Sequence, residues 1–246
     1  MEVVVVIPAR YGSSRFPGKV VARDTGKFLV QHTAESASNA STVDKVLIAT
    51  DDRKVMDACL SFGAECVMTS DSHQSGTDRI AEAVEDIDCD IVVNVQADEP
   101  EMDPKNIDFL VLLLKHNPDA DMATLVTGFD SAEQICDPNV VKAVIDSRGR
   151  AIYFSRSVIP FDRDNNGVGK PENYFRHLGI YAYRRDFLYK FTSLEQSGLE
   201  KIEKLEQLRA VENGFTIITG KVENVPEGID TQRQYEAFVE RMKTKI

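Results

Sequence analysis

The sequence predicts an α/β fold, a mostly parallel sheet with helices on both faces, extended by a β-hairpin arm. Three observations predict it. Short apolar runs rich in β-branched residues, at 3–7 and 91–95, read as strands buried on both faces. Amphipathic stretches of helical period separate such runs on short connections, which is the rhythm of a parallel sheet. Four polar loops, PARYGSSRFPGK, TDD, TSDSHQSGTDR and QADEP, each follow an apolar strand. In an open parallel sheet ligands bind beyond the carboxyl ends of the strands, so these loops are expected to form a single crevice.

Taken in order, strand 3–7 breaks at Pro8 into a loop holding Gly12, Ser13, Ser14, Pro17 and Gly18 with three cations, Arg10, Arg15 and Lys19. A helix is expected at 28–40, then a strand at 45–49 ending in Thr50-Asp51-Asp52. Val55, Met56, Cys59 and Leu60 share one face of the next helix, closed by Gly63. A third strand spans 65–68, and Ile80, Ala83, Val84 and Ile87 recur at helical spacing. Strand 91–95 runs into Gln96-Ala97-Asp98-Glu99-Pro100. Ile107, Leu110, Val111 and Leu114 stripe a helix before a strand at 122–126.

The rhythm then changes. Runs 140–145 and 151–155 flank Asp146-Ser147-Arg148-Gly149 and read as a hairpin. Segment 162–173, rich in Asp, Asn and Gly, reads as a mobile loop. Tyr181 and Tyr183 lie on a strand at 178–183. Ser197 with Glu200 forms a capping box for one helix striped by Leu199, Ile202, Leu205 and Leu208 and stopped by Gly214. A strand at 215–219 follows, and Thr231 with Gln234 caps a last helix bearing Tyr235, Phe238, Val239 and Met242. Residues 1–246 read as a single domain, with the hairpin arm and mobile loop within it at 137–176.

Composition narrows the function. With 29 basic and 40 acidic residues the net charge is −11, against any general affinity for nucleic acid or an anionic membrane. The longest apolar stretch, 109–114, is far too short to span a bilayer, and the start of the chain lacks a signal-peptide pattern. Cys59, Cys66, Cys89 and Cys136 lack metal-type spacing and read as reduced core fillers, so a cytoplasmic location is expected.

The opening loop has two readings. Small residues bring its backbone near a ligand, and its cations suit phosphate oxygens; it also reads as an ordinary basic surface loop. It is not a P-loop, because five residues separate Gly12 from Gly18 and Val20 follows Lys19; nor is there a G-x-G-x-x-G. Asp98, just past a strand, suits a Mg²⁺ ligand in a phosphate site, or caps a helix beginning near Pro100. Asp230 is a second metal candidate, or a carboxylate favoured at a helix start. His177, near Arg176 and Tyr181 in RHLGIYAY, reads as a ligand contact or a structural histidine. Glu206 and Gln207 read as the solvated face of an amphipathic helix. No nucleophile elbow or Cys–His pairing points to covalent catalysis.

In order along nearly the whole chain, PARYGSSRFPGK, ATDD, HQSGTDR, NVQADEP, YFSRSVIPFDRD, RHLGIYAYR, LEQLR and GIDT resemble the signatures of the 3-deoxy-manno-octulosonate (Kdo) cytidylyltransferases. The resemblance implies a nucleotide-diphospho-sugar transferase-like sheet and a homodimer formed through the hairpin arm. It implies transfer of CMP from CTP to the anomeric hydroxyl of Kdo, releasing pyrophosphate, for lipopolysaccharide synthesis. On that resemblance Arg10, Ser13, Arg15 and Lys19 hold the CTP phosphates, while Ser75, Gly76 and Gln96 line the nucleotide pocket. Asp98 and Asp230 bind Mg²⁺ and act with Lys19 in catalysis. Arg79, Arg156, His177, Tyr181, Glu206 and Gln207 surround the acidic 2-keto sugar.

Two alternatives accompany it: the same chemistry on a related acid such as an 8-amino Kdo analogue, or a sugar-nucleotide binder without turnover. The family pattern carries Gly where Ala97 stands, and Pro where Val20 and Phe28 stand. If the backbone at 97 needs φ > 0, Ala there costs of order 1 kcal/mol.

Overall fold

The computed structural model describes residues 1–13, 15–223, 225–226 and 228–244, so Ser14 of the opening loop lies outside the described residues. The strands are β1 (Val3–Pro8), β2 (Lys45–Thr50), β3 (Cys66–Met68), β4 (Ile91–Asn94), β5 (Met122–Thr127), β6 (Lys142–Ile145), β7 (Ala151–Ser155), β8 (Phe175–Arg184) and β9 (Ile217–Lys221). The helices are α1 (Leu29–Ser38), α2 (Arg53–Ser61), α3 (Gly76–Ala83), α4 (Pro104–His116), α5 (Ala132–Cys136), α6 (Arg185–Ser193), α7 (Gly198–Glu203), α8 (Leu208–Glu212) and α9 (Gln232–Thr244). The chain divides into two compact units, residues 1–108 with 226–246, and residues 109–225.

In the first unit β2 lies between β3 and β1, β1 lies between β2 and β4, and every pairing is parallel. All six residues of β1 are buried, as its unbroken apolar run requires. Helix α9 closes this unit: Tyr235, Phe238 and Val239 pack with Leu29 and Ile229, and Phe16 of the opening loop joins them. The Phe16 and Tyr235 rings stand 5.4 Å apart, which ties the loop to the helix that follows Asp230.

In the second unit β5 pairs parallel with β9 and antiparallel with β8, while the hairpin β6–β7 joins β8 through β6. Phe129, Ile135 and Tyr174 form a cluster with Val140, Val158 and Val168 packed on it. Within the 162–173 loop, Asp162 and Gly167 exchange backbone hydrogen bonds and the Gly169 N–H donates to the Tyr174 hydroxyl at 3.0 Å.

The α/β class and the predominance of parallel pairing match the sequence reading. Several local expectations do not hold. On α2 only Val55 and Cys59 of the four striped residues are buried, and Leu60 is 54% exposed. Helix α3 ends at Ala83, leaving Ile87 beyond it. The helix expected to run from Ser197 to Gly214 is two helices: Lys204 turns left-handed at φ 54° and ends α7, and Ile202 is 79% exposed. The capping box of Ser197 and Glu200 forms as read, and so does the Thr231–Gln234 cap. Cys136 is exposed rather than a core filler. No described helix is long and apolar enough to cross a membrane.

Candidate active site

The opening loop turns back on itself. The Gly18 N–H donates to the Tyr11 carbonyl at 2.9 Å, and Gly18 sits at φ 73°, where a side chain is strained. A Cβ there would also meet the Tyr11 ring at 3.3 Å. This turn sends Lys19, only 8% exposed, inward.

The Lys19 ammonium donates to Asp98 Oδ2 at 2.6 Å, to the Ile229 carbonyl at 2.8 Å and to Asp230 Oδ1 at 3.2 Å. Arg15 holds the other oxygen of Asp230 at 3.0 Å. The Asp98 carbonyl accepts from the Ile229 N–H at 2.8 Å, so the two carboxylate-bearing segments are joined by main chain as well. An ammonium with three acceptors and two negative partners is fully used.

Beside this cluster lies a cavity of about 360 Å³ lined by Pro8, Gly12, Val20 and six residues singled out from the sequence: Arg10, Ser13, Arg15, Lys19, Gly76 and Gln96. Its size suits a small ligand. Arg10 is anchored to the His73 carbonyl at 3.1 Å, and Gln96 donates to Asn94 Oδ1 at 3.0 Å. Ser75 accepts from the Asp78 N–H at 3.1 Å and caps α3. Arg79 is fully buried, bound to Asp51 and Thr69, and its Nε has no partner among the described residues. The resemblance implies that Arg79 is among the residues around the acidic sugar; here its terminal nitrogens hold the ATDD and TSDSHQSGTDR loops together.

Ala97 is buried and is absent from the residues with positive φ. The strain anticipated for alanine at this position does not arise. Its carbonyl accepts from Thr33 Oγ1 at 3.2 Å.

The other candidates lie in the second unit. Arg156 donates from Nε to the Glu203 carbonyl at 2.8 Å and from Nη1 to the Pro138 carbonyl at 3.0 Å. Its backbone N–H donates to Glu203 Oε2 at 2.9 Å. Fully buried Lys142 donates to the carbonyls of Asp137, Val140 and Arg156, which fixes the same corner of the hairpin. Desolvation lowers the Lys142 pKa below the usual ammonium value.

His177, Tyr181 and Tyr183 stack in a row along β8, with ring centroids 5.5 and 5.9 Å apart, and Phe154 meets His177 edge-on at 4.8 Å. Burial pushes the His177 pKa down to about 3, so the ring is neutral near pH 7. Burial first, and then the nearby Glu206 charge, push the Tyr181 hydroxyl well above its ordinary value, so it stays protonated and able to donate. Gln207 is 4% exposed and its Nε2 has no acceptor among the described residues. A buried donor of this kind costs about 1–3 kcal/mol, which a ligand oxygen would recover. Gln207 is therefore not on the solvated helix face that periodicity implied, while Glu206 beside it is partly exposed.

His177 carries a pH prediction. Its unfolded form binds a proton near pH 6.5 and its folded form only near pH 3. The stability from its neutral burial is fully present above about pH 6.5 and falls as pH drops through that window. Urea midpoints at about pH 7.5 and about pH 4.5 should therefore diverge more in the parent than in His177→Phe. Equal divergence in both would contradict a half-buried ring held neutral by its surroundings.

Sequence reasoning did not find Ile229, Glu203 or Thr124, because each acts through partners remote in the chain, nor Lys142, whose acceptors are carbonyls that only the hairpin corner brings together.

A cationic loop at the end of a parallel strand lies beside a carboxylate pair, and the chain is a nucleotidyltransferase: a family model described as cytidylyltransferase matches residues 4–221. A 3-deoxy-manno-octulosonate cytidylyltransferase of Solibacter usitatus is 46% identical over 100% of this chain and 96% of its own length. One from Syntrophotalea carbinolica is 47% identical over 94% of each. The chain belongs to the 3-deoxy-manno-octulosonate cytidylyltransferase family.

Among solved structures, a CMP:2-keto-3-deoxy-manno-octonic acid synthetase complexed with CTP is 39% identical, with a TM-score of 0.94 over 100% of both chains. A cytidylyltransferase from Leptospira borgpetersenii, 18% identical over 99% of this chain and 87% of its own with a TM-score of 0.66, shares the fold.

Proposed function

We propose that the protein transfers CMP from CTP to the anomeric hydroxyl of 3-deoxy-manno-octulosonate, releasing pyrophosphate. The observation that carries this reading is the Lys19 ammonium held between Asp98 and Asp230 at the edge of the cationic cavity. Arg10 and Arg15 bind the CTP phosphates, Lys19 adds its charge from the cavity edge while held by Asp98 and Asp230, Ser13 supplies a hydrogen bond, and Ser75, Gly76 and Gln96 line the nucleotide pocket. Displacement at the α-phosphorus leaves two negative groups to separate, so positioning and charge neutralisation supply most of the rate.

Asp98 and Asp230 fit a Mg²⁺ ion: both reach one ammonium nitrogen, and two carboxylates completed by water and phosphate oxygens suit that metal. Bound there, Mg²⁺ would polarise the phosphate and acidify the sugar hydroxyl. Arg156 pairs with the sugar carboxylate through N–H groups left over from its anchoring, and Tyr181, His177, Glu206 and Gln207 bond the hydroxyls. Arg79 enters as a loop-positioning residue. The protein acts in the cytoplasm as a homodimer joined through the hairpin arm.

Pyrophosphate release measured with CTP, Mg²⁺ and a panel of 2-keto acid sugars tests the reading. Turnover is expected with Kdo; silence with every sugar would sink it, and preference for the 8-amino analogue would reassign the acceptor. The reading as a binder without turnover rested on strain at Ala97. Ala97→Gly should therefore bring no gain in kcat and lower stability by about 0.5–1 kcal/mol through the freer unfolded chain. A large gain in turnover would revive the inactive-binder reading.

A further inference from the structure

We infer that Thr124 sets the tautomer of His177, leaving its Nδ1 as a bare acceptor for a hydroxyl of the sugar. This rests on the reading of His177 as a sugar contact. The register of β5 on β8 jumps from Thr124 opposite Tyr181 to Leu125 opposite Leu178, so Gly179 and Ile180 bulge from the ladder. The fully buried Thr124 side chain fills the bulge. Its Oγ1 lies 2.8 Å from the Ile180 carbonyl, 3.1 Å from the Leu178 carbonyl and 3.0 Å from His177 Nε2.

A hydroxyl has one proton to give, and carbonyl oxygens only accept. If Thr124 gave that proton to His177, two carbonyl oxygens would face its lone pairs with no hydrogen between them. The proton therefore goes to a carbonyl, and Oγ1 accepts from His177 Nε2–H. The neutral ring then carries no proton on Nδ1, which has no hydrogen-bond partner among the described residues. His177 also keeps part of its surface open. A bare Nδ1 takes a hydroxyl donor and has nothing to offer an ether oxygen. The bulge thus converts a backbone irregularity into a selection for the free hydroxyl over its O-methyl or deoxy counterpart.

Long-range ¹H–¹⁵N correlation spectra of histidine-labelled protein read the tautomer directly, with His177→Phe assigning the signal among four histidines. The parent should show Nε2–H with Nδ1 unprotonated. Thr124→Val, which keeps the shape, should lose that single tautomer and raise KM for Kdo by roughly tenfold, with KM for CTP unchanged. Thr124→Ser should restore both.

An Nδ1–H tautomer in the parent overturns the inference without any variant having to fold. So does a folded Thr124→Val with the parent's tautomer and KM. If His177→Phe leaves KM for Kdo unchanged, the sugar-contact reading falls and takes this inference with it. If His177→Phe raises that KM while the parent carries Nδ1–H, only the Thr124 inference falls.

Discussion

Asp98→Asn is expected to lower kcat by about 10³-fold while leaving the protein folded. Asparagine keeps the shape and one carbonyl oxygen but removes the charge to which both Lys19 and a divalent cation respond. The Lys19 ammonium retains the Ile229 carbonyl at 2.8 Å and Asp230 at 3.2 Å, so it is not stranded. Melting curves should therefore show a modest change, whereas pyrophosphate release should nearly vanish. Calorimetric titration of CTP with and without Mg²⁺ separates the causes. If the carboxylate serves the metal, the Mg²⁺-dependent part of CTP binding weakens and the metal-free part persists. Turnover within about twofold of the parent would refute the assignment of Asp98 to the reaction.

The largest expected loss of stability lies elsewhere, at the pair of Glu200 and Arg209. Their side chains are 7% and 5% exposed, and Arg209 grips both carboxylate oxygens, from Nε at 2.8 Å and from Nη2 at 2.6 Å. The guanidinium also lies over the Phe191 ring at 4.8 Å. Glu200→Gln keeps the volume, leaves the buried cation only the looser Glu206 carboxylate at 3.6 Å and the Phe191 carbonyl at 3.4 Å, and turns an amide N–H toward a donor. Breaking a buried pair from one side costs about 3–5 kcal/mol, a large share of the 5–15 kcal/mol that holds a typical domain. The urea midpoint should fall accordingly. An exposed pair such as Lys27 with Glu35 is the comparison, and Lys27→Ala should cost less than about 1 kcal/mol. A Glu200→Gln variant as stable as that comparison would falsify the assignment. Since α8 follows directly on Glu206 and Gln207, residual activity should show a raised KM for the sugar.

Much of the local structure was legible because it depends on residues close in sequence. The apolar run that became β1, the left-handed glycines at 18, 63 and 214, and the Ser197 and Thr231 caps each carry their cause within a few positions. Where burial decides, pattern alone misled. Leu60 and Ile202 sit on apparently apolar stripes yet face outward, because periodicity names a face without saying what covers it. Gln207, read as solvated, is buried for the same reason.

What the sequence by itself determined is the alternation of strands and helices that makes a mostly parallel sheet, the loops at the strand ends and the residue types available there. The motif order added the family. Only the tertiary structure decided what those residues do. It brought Lys19 to Asp98 and Asp230, partners 79 and 211 positions away, closed Arg79 inside its own ion pair, and set Thr124 against His177 across a bulge. Charge pairing and proton placement act over a few ångströms of space, and spacing along the chain carries no record of which distant groups will share them.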